Sequence, residues 1–449
     1  MVIVAGAGSG GLVAALAAAD QGADVLLLEV DKQAHVACNS ARSTGMVMGA
    51  GTYLQKAAGV DDAWQDLLAD VLRKNGGDCA QDVAEALCRN SGALVDWLVD
   101  AHGLPLTVVT DFRYPGHSNY HMHAMPNRTG RELVEGLWNV ARGNSRITVA
   151  EGVKLVGLGC SPDGAVNRVH VRYLDGSDDW VDADGVVLAT NGFGGRRDWV
   201  REYIPQMLEA LYFGGPYSDG SGIEAAIEVG AGISYMDAYQ GHATVSADTG
   251  ILVSYSVVMT GGILVNARGD RFDDETRGYS ELAEVMTRQP QGVAFAIFDH
   301  STYTVARRFN DFREVDEMGS VRVWHSLAGM GSTLGFEAER WENTLRMLHE
   351  CQQGHQDPFG RSNYGPEWQP PWYSVKVQGA LLHTQGGLTV NRSAQVLSVD
   401  GTPIHGLYAC GGAAAGISGQ GAAGYLSGNG LLSAMGLGYL AARSLTGGR

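Results

Sequence analysis

The sequence has few cysteines and none of the spacings by which cysteines bind metals or haem. Six cysteines occur in 449 residues, with no C-x-x-C pair, no C-x-x-C-H motif and no zinc-ligand spacing. This scatter indicates reduced thiols, and it excludes a disulfide scaffold or a haem attached within this chain. The cysteines are Cys38, Cys79, Cys88, Cys160, Cys351 and Cys410.

Positive charge and long apolar runs are also scarce. There are 32 basic and 49 acidic residues, a formal net charge of -17, which argues against nucleic acid as a partner. No apolar run reaches the length of a membrane span, and the chain begins directly in a predicted strand, which leaves no room for a signal peptide. We therefore expect a cytoplasmic protein. A chain of 449 residues is also long enough that we expect two domains.

Glycine, by contrast, is abundant, with 63 residues, about twice the ordinary share of ~7%. Gly6, Gly8 and Gly11 form G-x-G-x-x-G between an apolar strand and an alanine-rich helix. The first glycine allows a tight turn, the second lets a pyrophosphate approach the backbone, and the third lets the helix pack against the strand. Glu29 ends the next strand, where its carboxylate is expected to bind a ribose. Because strand, helix and acid occur together, a dinucleotide-binding unit is favoured over a glycine-rich turn without a ligand.

Other segments have the composition of cofactor-binding loops. The loop from Cys38 to Gly51 is rich in small and hydroxyl residues, and the turn from Ala189 to Gly192 follows a predicted buried strand. Asp219 lies in a glycine turn that opens a helix, and glycines precede the last predicted helix, whose N-terminus would favour an electron-rich group. The candidate cofactor-binding residues beyond the first motif are Asn39, Ser40, Ser43, Thr44, Gly45, Val153, Ala189, Thr190, Asn191, Gly192, Asp219, Gly411, Gly412, Gly430 and Leu431.

A polar and aromatic segment, DFRYPGHSNYHMHAMPNRTG, runs from Asp111 to Gly130. A loop of this length usually has a function. Its histidines, His117, His121 and His123, resemble a metal cluster, but no carboxylate pattern lies near them in the sequence, so we favour a substrate-loop or structural role and predict no metal site. His349, Cys351 and His355 also lie close in sequence, but they fall on a polar helix end, so we favour a solvated surface over a metal site.

Several ordered motifs together resemble the flavoprotein superfamily of soluble fumarate reductases and 3-ketosteroid Δ1-dehydrogenases. They are the N-terminal glycine motif, NSARSTG, LATNGFGG, YSDGSG, GGILVNARGDRFDDE, HTQGGLTVN and GLYACGGAAAG, and they cover almost the whole chain. The resemblance implies an α/β fold in which a Rossmann-like FAD-binding domain, residues 1–213 and 372–449, is interrupted by an α+β capping domain, residues 214–371. It implies FAD as the cofactor, which we expect to bind noncovalently, and His35 is the sole candidate for the covalent attachment of some members.

Four positions of the resemblance divide between the two kinds of enzyme. Tyr279 and Tyr425 stand where fumarate reductases have arginines that protonate and bind the substrate, and they agree with two tyrosines of the ketosteroid dehydrogenases. His242 and His383 instead match histidines that contact a substrate carboxylate in fumarate reductases. This combination predicts a substrate with a ketone at one end and a carboxylate or other acceptor at the other, smaller than a steroid. The alternative is that all four are ordinary packing residues.

The resulting prediction is an FAD-dependent desaturase of a small cyclic oxo acid, such as 4-oxocyclohexanecarboxylate. Tyr425 and a backbone N–H near Gly428 would hold the ketone oxygen, Tyr279 would remove the α proton, and Tyr114 would assist it. The alternatives are a reductase of an unsaturated carboxylate and a flavin-binding protein without turnover. The electron acceptor after FAD is left open between oxygen, a quinone and a dye. Arg113, Arg128 and Arg277 are candidates for binding an anion, and the sequence does not choose among them.

Overall fold

The computed structural model describes residues 1–447 and divides the chain into two compact units. The first unit contains Met1–Pro205, Gly214–Gln240 and the chain from His383 onward, and the second contains Gln206–Phe213 and Gly241–Leu382. The predicted capping segment, 214–371, therefore differs from the second unit at both ends.

Local packing explains the difference at the first of these ends. Helix Ser221–Glu228 packs on strand Val153–Cys160, and strand Ile233–Ser234 pairs with Gly387–Leu388, so residues 214–240 cluster with the first unit. At the other end, strand Trp372–Thr384 runs antiparallel to Val293–Asp299, which keeps most of its length in the second unit.

The first unit is built on a sheet whose inner strands are parallel. These strands are short apolar runs buried on both faces, as a parallel sheet covered by helices requires. Val2–Ala5 is fully buried between Gly185–Leu188 and Val25–Glu29. In spatial order the strands are Gln395–Leu397, Pro403–Ala409, Gly185–Leu188, Val2–Ala5, Val25–Glu29 and Ile147–Glu151.

Helices and smaller sheets complete the first unit. The alanine-rich helix Ser9–Asp20 packs along Asn429–Leu445, and both are buried over most of their length. The other helices are Ala34–Ala37, Tyr53–Ala57, Trp64–Asn75, Gln81–Asp100, Gly130–Gly143, Arg197–Tyr203 and Ser221–Glu228. The smaller sheets contain Val47–Met48, Met122–Ala124 and Thr107–Val108, and then Val153–Cys160, Val166–Tyr173 and Asp178–Asp182.

The second unit has a mainly antiparallel sheet with helices packed around it. Its core combines strand residues such as Val375 and Phe298 with Leu282 and Phe312 from the helices, all four fully buried. The strands are Leu211–Tyr212, Tyr239–Ser246, Ile263–Asn266, Val293–Asp299, Arg322–Trp324 and Trp372–Thr384. The helices are Ser256–Met259, Tyr279–Thr287, His300–Ala306, Asn310–Glu317, Leu327–Leu334 and Ala338–Gln352. The α/β fold class is thus confirmed.

Two absences can be stated for residues 1–447. No helix in this range combines the length and the apolar character that crossing a bilayer requires. All six cysteines in it are free thiols.

Candidate active site

The N-terminal glycine motif shows which glycines the protein itself requires. Gly6 has φ +102°, and a Cβ there would lie 2.3 Å from the Ala189 carbonyl oxygen; a Cβ on Gly11 would lie 1.8 Å from the Gly6 oxygen. At Gly8 the nearest atom to an added Cβ is the Ser40 hydroxyl, at 3.8 Å. The packing of the protein itself therefore does not require a glycine at position 8. Its bare backbone, at the N-terminus of the first long helix, fits a pyrophosphate.

Glu29 is buried and ties the glycine turn to the end of the second strand. One carboxylate oxygen accepts the Ala7 N–H at 2.7 Å and the other accepts the Asp31 N–H at 2.8 Å. Burial raises the pKa of Glu29 despite these two hydrogen bonds. Each oxygen retains a second lone pair, so the predicted contact with a ribose is compatible with the structural one and stays a prediction.

The loop after the second strand is fastened to the glycine turn by its polar side chains. The Ser40 hydroxyl lies 2.8 Å from that of Ser9, in the first turn of the helix. The Asn39 side-chain oxygen accepts the Gly215 N–H at 2.5 Å, and the Ser43 hydroxyl donates to the Ser40 carbonyl at 2.7 Å. These bonds place Ser40 beside the glycine turn, and the predicted contacts of this loop with the pyrophosphate stay predictions. Thr44 and Gly45 follow in the same loop. His35 precedes the loop, on the short helix Ala34–Ala37.

The turn from Ala189 to Gly192 contains an unsatisfied polar atom. The Thr190 hydroxyl is buried and has no hydrogen-bond partner within residues 1–447. Asn191 has φ +66° and donates from its amide to the Ser218 hydroxyl at 2.7 Å. Because buried polar groups are almost always paired, the orphaned Thr190 hydroxyl is evidence that a ligand completes this turn.

The remaining predicted cofactor residues have mainly structural contacts. The Asp219 carboxylate pairs with the Lys154 ammonium and accepts the Ser221 N–H at 3.0 Å. Burial alone would raise the pKa of Asp219, but these bonds together lower it. Val153 is a buried strand residue, and Gly412 packs against Asn191, whose side-chain oxygen would lie 2.6 Å from an added Cβ. Their predicted contacts with the cofactor, and those of Gly411 and Leu431, stay predictions.

A relay of side chains orients His383 in the first unit. The Asn429 amide donates to the Ser418 hydroxyl at 3.1 Å, and that hydroxyl donates to the Gln385 amide oxygen at 3.0 Å. The Gln385 amide nitrogen then lies 3.0 Å from Nδ1 of His383, and the Thr384 carbonyl oxygen lies 3.2 Å from the same nitrogen. The first contact favours a hydrogen on Nε2 and the second favours a hydrogen on Nδ1, so these contacts fix the position of the ring and not its tautomer. Burial lowers the pKa of His383 to about 4, so the ring is neutral at pH 7.

Tyr425 lies beside this histidine at the start of the last helix. The two ring centroids are 5.9 Å apart, and the Tyr425 hydroxyl oxygen accepts the Gly430 N–H at 3.4 Å. Burial raises the pKa of Tyr425 well above its ordinary value, so the phenol keeps its proton. The backbone N–H next to this phenol is that of Gly430, in the first turn of helix Asn429–Leu445, and not that of Gly428, which precedes the helix with φ +94°.

Tyr279 belongs to an aromatic cluster in the second unit. It begins helix Tyr279–Thr287, and its ring stacks on His242 at a centroid distance of 4.9 Å. Tyr255 completes the cluster, 5.8 Å from His242 and 5.6 Å from Tyr279. Nδ1 of His242 accepts the Thr244 N–H at 3.2 Å, and burial lowers its pKa to about 3. His242 is therefore also neutral and has its hydrogen on Nε2.

A buried ionic network lies next to this cluster. The Arg271 guanidinium forms a two-pronged pair with Glu275, at 2.8 Å for each contact, and also bonds Asp357 at 3.0 Å. Arg361 reaches Glu275 at 3.2 Å, and the Tyr255 hydroxyl donates to the Glu275 carbonyl oxygen at 2.6 Å. Two cations balance two carboxylates, so the network holds the segment before Tyr279 without excess charge.

The arginines singled out in the sequence all have protein partners. Arg113 donates to the Ser118 carbonyl at 3.1 Å, Arg128 forms a two-pronged pair with Asp111 at 3.0 and 2.9 Å, and Arg277 pairs with Asp273 at 3.2 Å. Each of these guanidinium groups is substantially exposed. None of the three is a preformed anion site in the described chain. Tyr114, in the same segment as Arg113, packs edge-on against Phe112 at 5.0 Å, and its assisting role stays a prediction.

The histidine segment contains a buried polar cluster that sequence spacing did not reveal. His121 is fully buried, with Nδ1 2.8 Å from the Asp62 carboxylate and Nε2 3.0 Å from the Asp70 carboxylate. No carboxylate pattern lies near these histidines in the sequence, but the fold brings in two carboxylates from positions 59 and 51 residues away. His123 is separate from the cluster and hydrogen-bonds the Thr52 hydroxyl at 3.0 Å.

Sequence reasoning missed the residues that orient the candidate groups. No local sequence motif marks these residues, and only their contacts in the folded chain reveal them. They are Gln385, Ser418, Asn429 and Tyr255. Gln385 had one available signal, because it stands two residues after His383, just beyond the end of strand Trp372–Thr384.

The fold and the site define a flavin-dependent oxidoreductase with a dinucleotide-binding core. The FAD binding domain family matches residues 1–431, and the chain belongs to that family. A probable fumarate reductase, Ifc3, of Shewanella frigidimarina is 29% identical over 425 residues, which are 93% of this chain and 70% of that protein.

Two solved structures extend the comparison to the fold. The open conformation of a flavocytochrome c3 fumarate reductase superposes with a TM-score of 0.83 at 27% identity, covering 100% of this chain and 78% of that one. The 3-ketosteroid Δ1-dehydrogenase of Sterolibacterium denitrificans superposes with a TM-score of 0.79 at 19% identity, covering 100% and 99%. The superfamily indicated by the sequence motifs is thus confirmed, and with it the FAD cofactor and the assignment as an oxidoreductase.

Proposed function

We propose that this flavoenzyme desaturates a small cyclic ketone, most specifically an oxo acid such as 4-oxocyclohexanecarboxylate. The substrate loses a proton from the carbon α to the carbonyl and a hydride from the β carbon, and a C=C bond forms between them. When bound, FAD supplies the acceptor for the hydride. The protein must supply a hydrogen-bond donor for the ketone oxygen and a base for the α proton.

The observation that carries the proposal is the placement of Tyr425. Its phenol keeps its proton at neutral pH, and it lies at the N-terminus of a long helix beside the Gly430 N–H. An oxygen that becomes negative in the enolate-like transition state is stabilised by such fixed donors and by the positive end of a helix. A buried arginine at this position would instead favour a carboxylate.

Tyr279 is assigned as the base that removes the α proton. It begins helix Tyr279–Thr287, so its backbone is fixed at the first position of that helix. Its stacking partner His242 is neutral, so the base is not held as an ion pair with a histidine. The buried pair of Arg271 and Glu275 fixes the backbone that leads into this helix.

A substrate carboxylate would be bound by neutral donors. The neutral His383 ring is positioned by the relay through Gln385, and its tautomer with a hydrogen on Nε2 would donate to the carboxylate. Hydrogen bonds from neutral groups to a carboxylate are weaker than those from arginine. The three arginines singled out in the sequence have partners of their own. These features favour a substrate with one carboxylate over a dicarboxylate.

A second candidate function is reduction of an unsaturated carboxylate. The 29% identity to a probable fumarate reductase and the two matched histidines favour it. In this reaction Tyr279 would have to deliver a proton, because the arginine expected there in fumarate reductases is absent from the sequence. The absence of that arginine, together with the phenol of Tyr425 at the second position, makes the desaturase the better supported function.

A test of direction separates the two candidates. The oxidised protein is mixed anaerobically with 4-oxocyclohexanecarboxylate, and the reduced protein is mixed with fumarate and with acrylate; flavin absorbance is followed in both cases. The proposal expects rapid bleaching in the first experiment and slow or no reoxidation in the second. Rapid reoxidation by an unsaturated carboxylate, without bleaching by any oxo acid, would establish the reductase instead.

A further inference from the structure

A buried set of two imidazoles and a carboxylate lies in the first unit, outside the groups assigned to FAD and substrate. Asp70, His117 and His121 each offer one ligand atom, and these atoms all lie within 4.8 Å of one another. Their exposed fractions are 0%, 6% and 0%. The rings of the two histidines are 5.4 Å apart.

His117 directs an unpartnered nitrogen into this buried region. Its Nε2 lies 3.0 Å from the carbonyl oxygen of Ser427. A carbonyl oxygen can only accept, so Nε2 carries the hydrogen and Nδ1 has the lone pair. Nδ1 is buried and has no hydrogen-bond partner within residues 1–447.

His121 is oriented in the same manner by a carboxylate. Its Nδ1 lies 2.8 Å from Asp62, and this leaves Nε2 directed towards Asp70, 3.0 Å away. Histidines that bind metals almost always donate their other ring N–H to a carboxylate or a backbone carbonyl. Both histidines of this set have such a partner, Asp62 for one and the Ser427 carbonyl for the other.

The charge of the set is balanced without a metal by a hydrogen that an ion could replace. Asp62 and Asp70 are fully buried carboxylates, and Arg73 is the cation that the structure pairs with Asp70. Each ring nitrogen of His121 faces one of the two carboxylates, and a carboxylate oxygen only accepts, so both nitrogens carry hydrogens when no metal is bound. A divalent ion would displace the hydrogen between Nε2 of His121 and Asp70 and would bind there together with Nδ1 of His117.

We propose that Asp70, His117 and His121 bind a divalent first-row transition metal ion, with Asp62 and the Ser427 carbonyl orienting the two histidines. Two imidazoles and a carboxylate are a ligand set that suits Zn²⁺, Fe²⁺ or Mn²⁺. The ion links helix Trp64–Asn75 to the histidine segment. Through Ser427 it also fixes the loop that precedes the last helix and therefore the approach to Tyr425.

Zinc content and affinity test this site in the FAD-loaded protein. The protein is stripped with a chelator and titrated with Zn²⁺ against a chromophoric chelator, and bound metal is counted by elemental analysis. We expect about one Zn²⁺ per chain. Asp62→Asn, which removes only an orienting partner, should weaken binding by about 10- to 100-fold, and His117→Gln and Asp70→Asn should weaken it further. His123→Gln, a buried histidine of the same segment outside the set, is the matched control and should bind like the parent.

Two results would overturn the proposal. One is the absence of saturable Zn²⁺, Fe²⁺ and Mn²⁺ binding in the folded, FAD-loaded parent, which would identify the set as a hydrogen-bonded cluster around a protonated His121. The other is a His117→Gln variant that binds as tightly as the control. If the ligand variants do not fold, sub-stoichiometric Cu²⁺ in the parent protein provides an independent measurement. Its paramagnetic resonance spectrum should show coupling to two imidazole nitrogens, and a spectrum without nitrogen coupling would contradict the site.

Discussion

The Tyr425 hydroxyl oxygen lies 3.4 Å from the backbone nitrogen of Gly430, in the first turn of helix Asn429–Leu445. The phenol oxygen therefore lies next to a backbone donor and close to the positive end of a helix dipole. This relationship suits an oxygen that gains negative charge during the reaction.

Removing the Tyr425 hydroxyl should slow turnover without removing the cofactor. Tyr425→Phe is expected to lower kcat by about 10²- to 10³-fold, the usual loss for one oxyanion-stabilising donor. Anaerobic stopped-flow reduction of the flavin by the oxo acid measures this. Tyr439→Phe is the matched control, since this tyrosine is on the same helix, is buried, and bonds Arg443 at 2.9 Å. Equal rates in the two variants would exclude the role of Tyr425.

Removing the Tyr279 hydroxyl should affect proton abstraction. Tyr279→Phe is expected to reduce the rate of flavin reduction by about 10²- to 10⁴-fold, the usual range for a general base, and to leave substrate affinity nearly unchanged. The primary isotope effect from a deuterium on the α carbon should increase in any residual activity. Tyr303→Phe, a tyrosine of the same unit that bonds Asp316 at 2.7 Å, should react like the parent. A Tyr279→Phe variant with parental rates would show that another group is the base.

The pH profile should lack a histidine titration. Burial lowers the pKa of His383 to about 4 and that of His242 to about 3, so both rings are neutral across the ordinary working range. With a tyrosine as the base, kcat/KM should increase from pH 6 towards the alkaline range and show no inflection near ~6.5, the ordinary value for histidine. Steady-state rates with a dye as acceptor measure the profile. A bell-shaped curve centred near neutrality would contradict the assignment.

A methyl group at Gly8 should weaken FAD binding and leave the apoprotein stable. The protein has only the Ser40 hydroxyl within 4 Å of such a Cβ, at 3.8 Å, so the substitution costs little packing. The pyrophosphate is expected to meet the methyl group, and the affinity for FAD should fall at least tenfold, about 1.4 kcal/mol. Gly143→Ala, where nothing lies within 4 Å of the Cβ, is the control. Fluorescence titration of the apoprotein measures both, and equal affinities would place the pyrophosphate elsewhere.

Disrupting the buried network of the second unit should cost stability. Arg271→Met leaves Glu275 and Asp357 buried with less positive charge, and breaking such a pair is expected to cost about 3–5 kcal/mol. Arg340→Met removes an exposed arginine that pairs with Glu337 and Asp270 and should cost at most ~1 kcal/mol. Urea denaturation compares the two, and similar midpoints would contradict the network's importance.

The sequence predicted the parts of the molecule that are local in the chain. The glycine motif with Glu29 and the ordered family motifs gave the fold class, the cofactor and the superfamily, because each depends on spacings within a few residues. Tyr279 and His242 were selected separately and lie stacked in the structure. Tyr425 and His383 were also selected separately and are neighbours.

The parts that could not be predicted depend on contacts between distant segments. Asp62 and Asp70 reach His121 across more than fifty residues, so no spacing in the histidine segment announces them. The relay from Asn429 to His383 likewise joins the first residue of a helix, two loop residues and a strand. The arginines show the opposite case, since guanidinium groups are conspicuous in a sequence whereas their acceptors, the Ser118 carbonyl among them, are not.

Anaerobic reduction of the flavin by three related compounds is the most direct test of whether the protein desaturates a cyclic oxo acid. The oxidised protein is mixed with 4-oxocyclohexanecarboxylate, with cyclohexanone and with cyclohexanecarboxylate, and flavin bleaching is followed while the product is analysed by mass spectrometry. If the enzyme desaturates an oxo acid, the oxo acid should bleach the flavin rapidly and give a product two hydrogens lighter. The ketone that lacks a carboxylate should bleach it more slowly, and the acid that lacks a ketone should not bleach it. Bleaching by cyclohexanecarboxylate, or no bleaching by any ketone, would contradict the assignment as an oxo-acid desaturase.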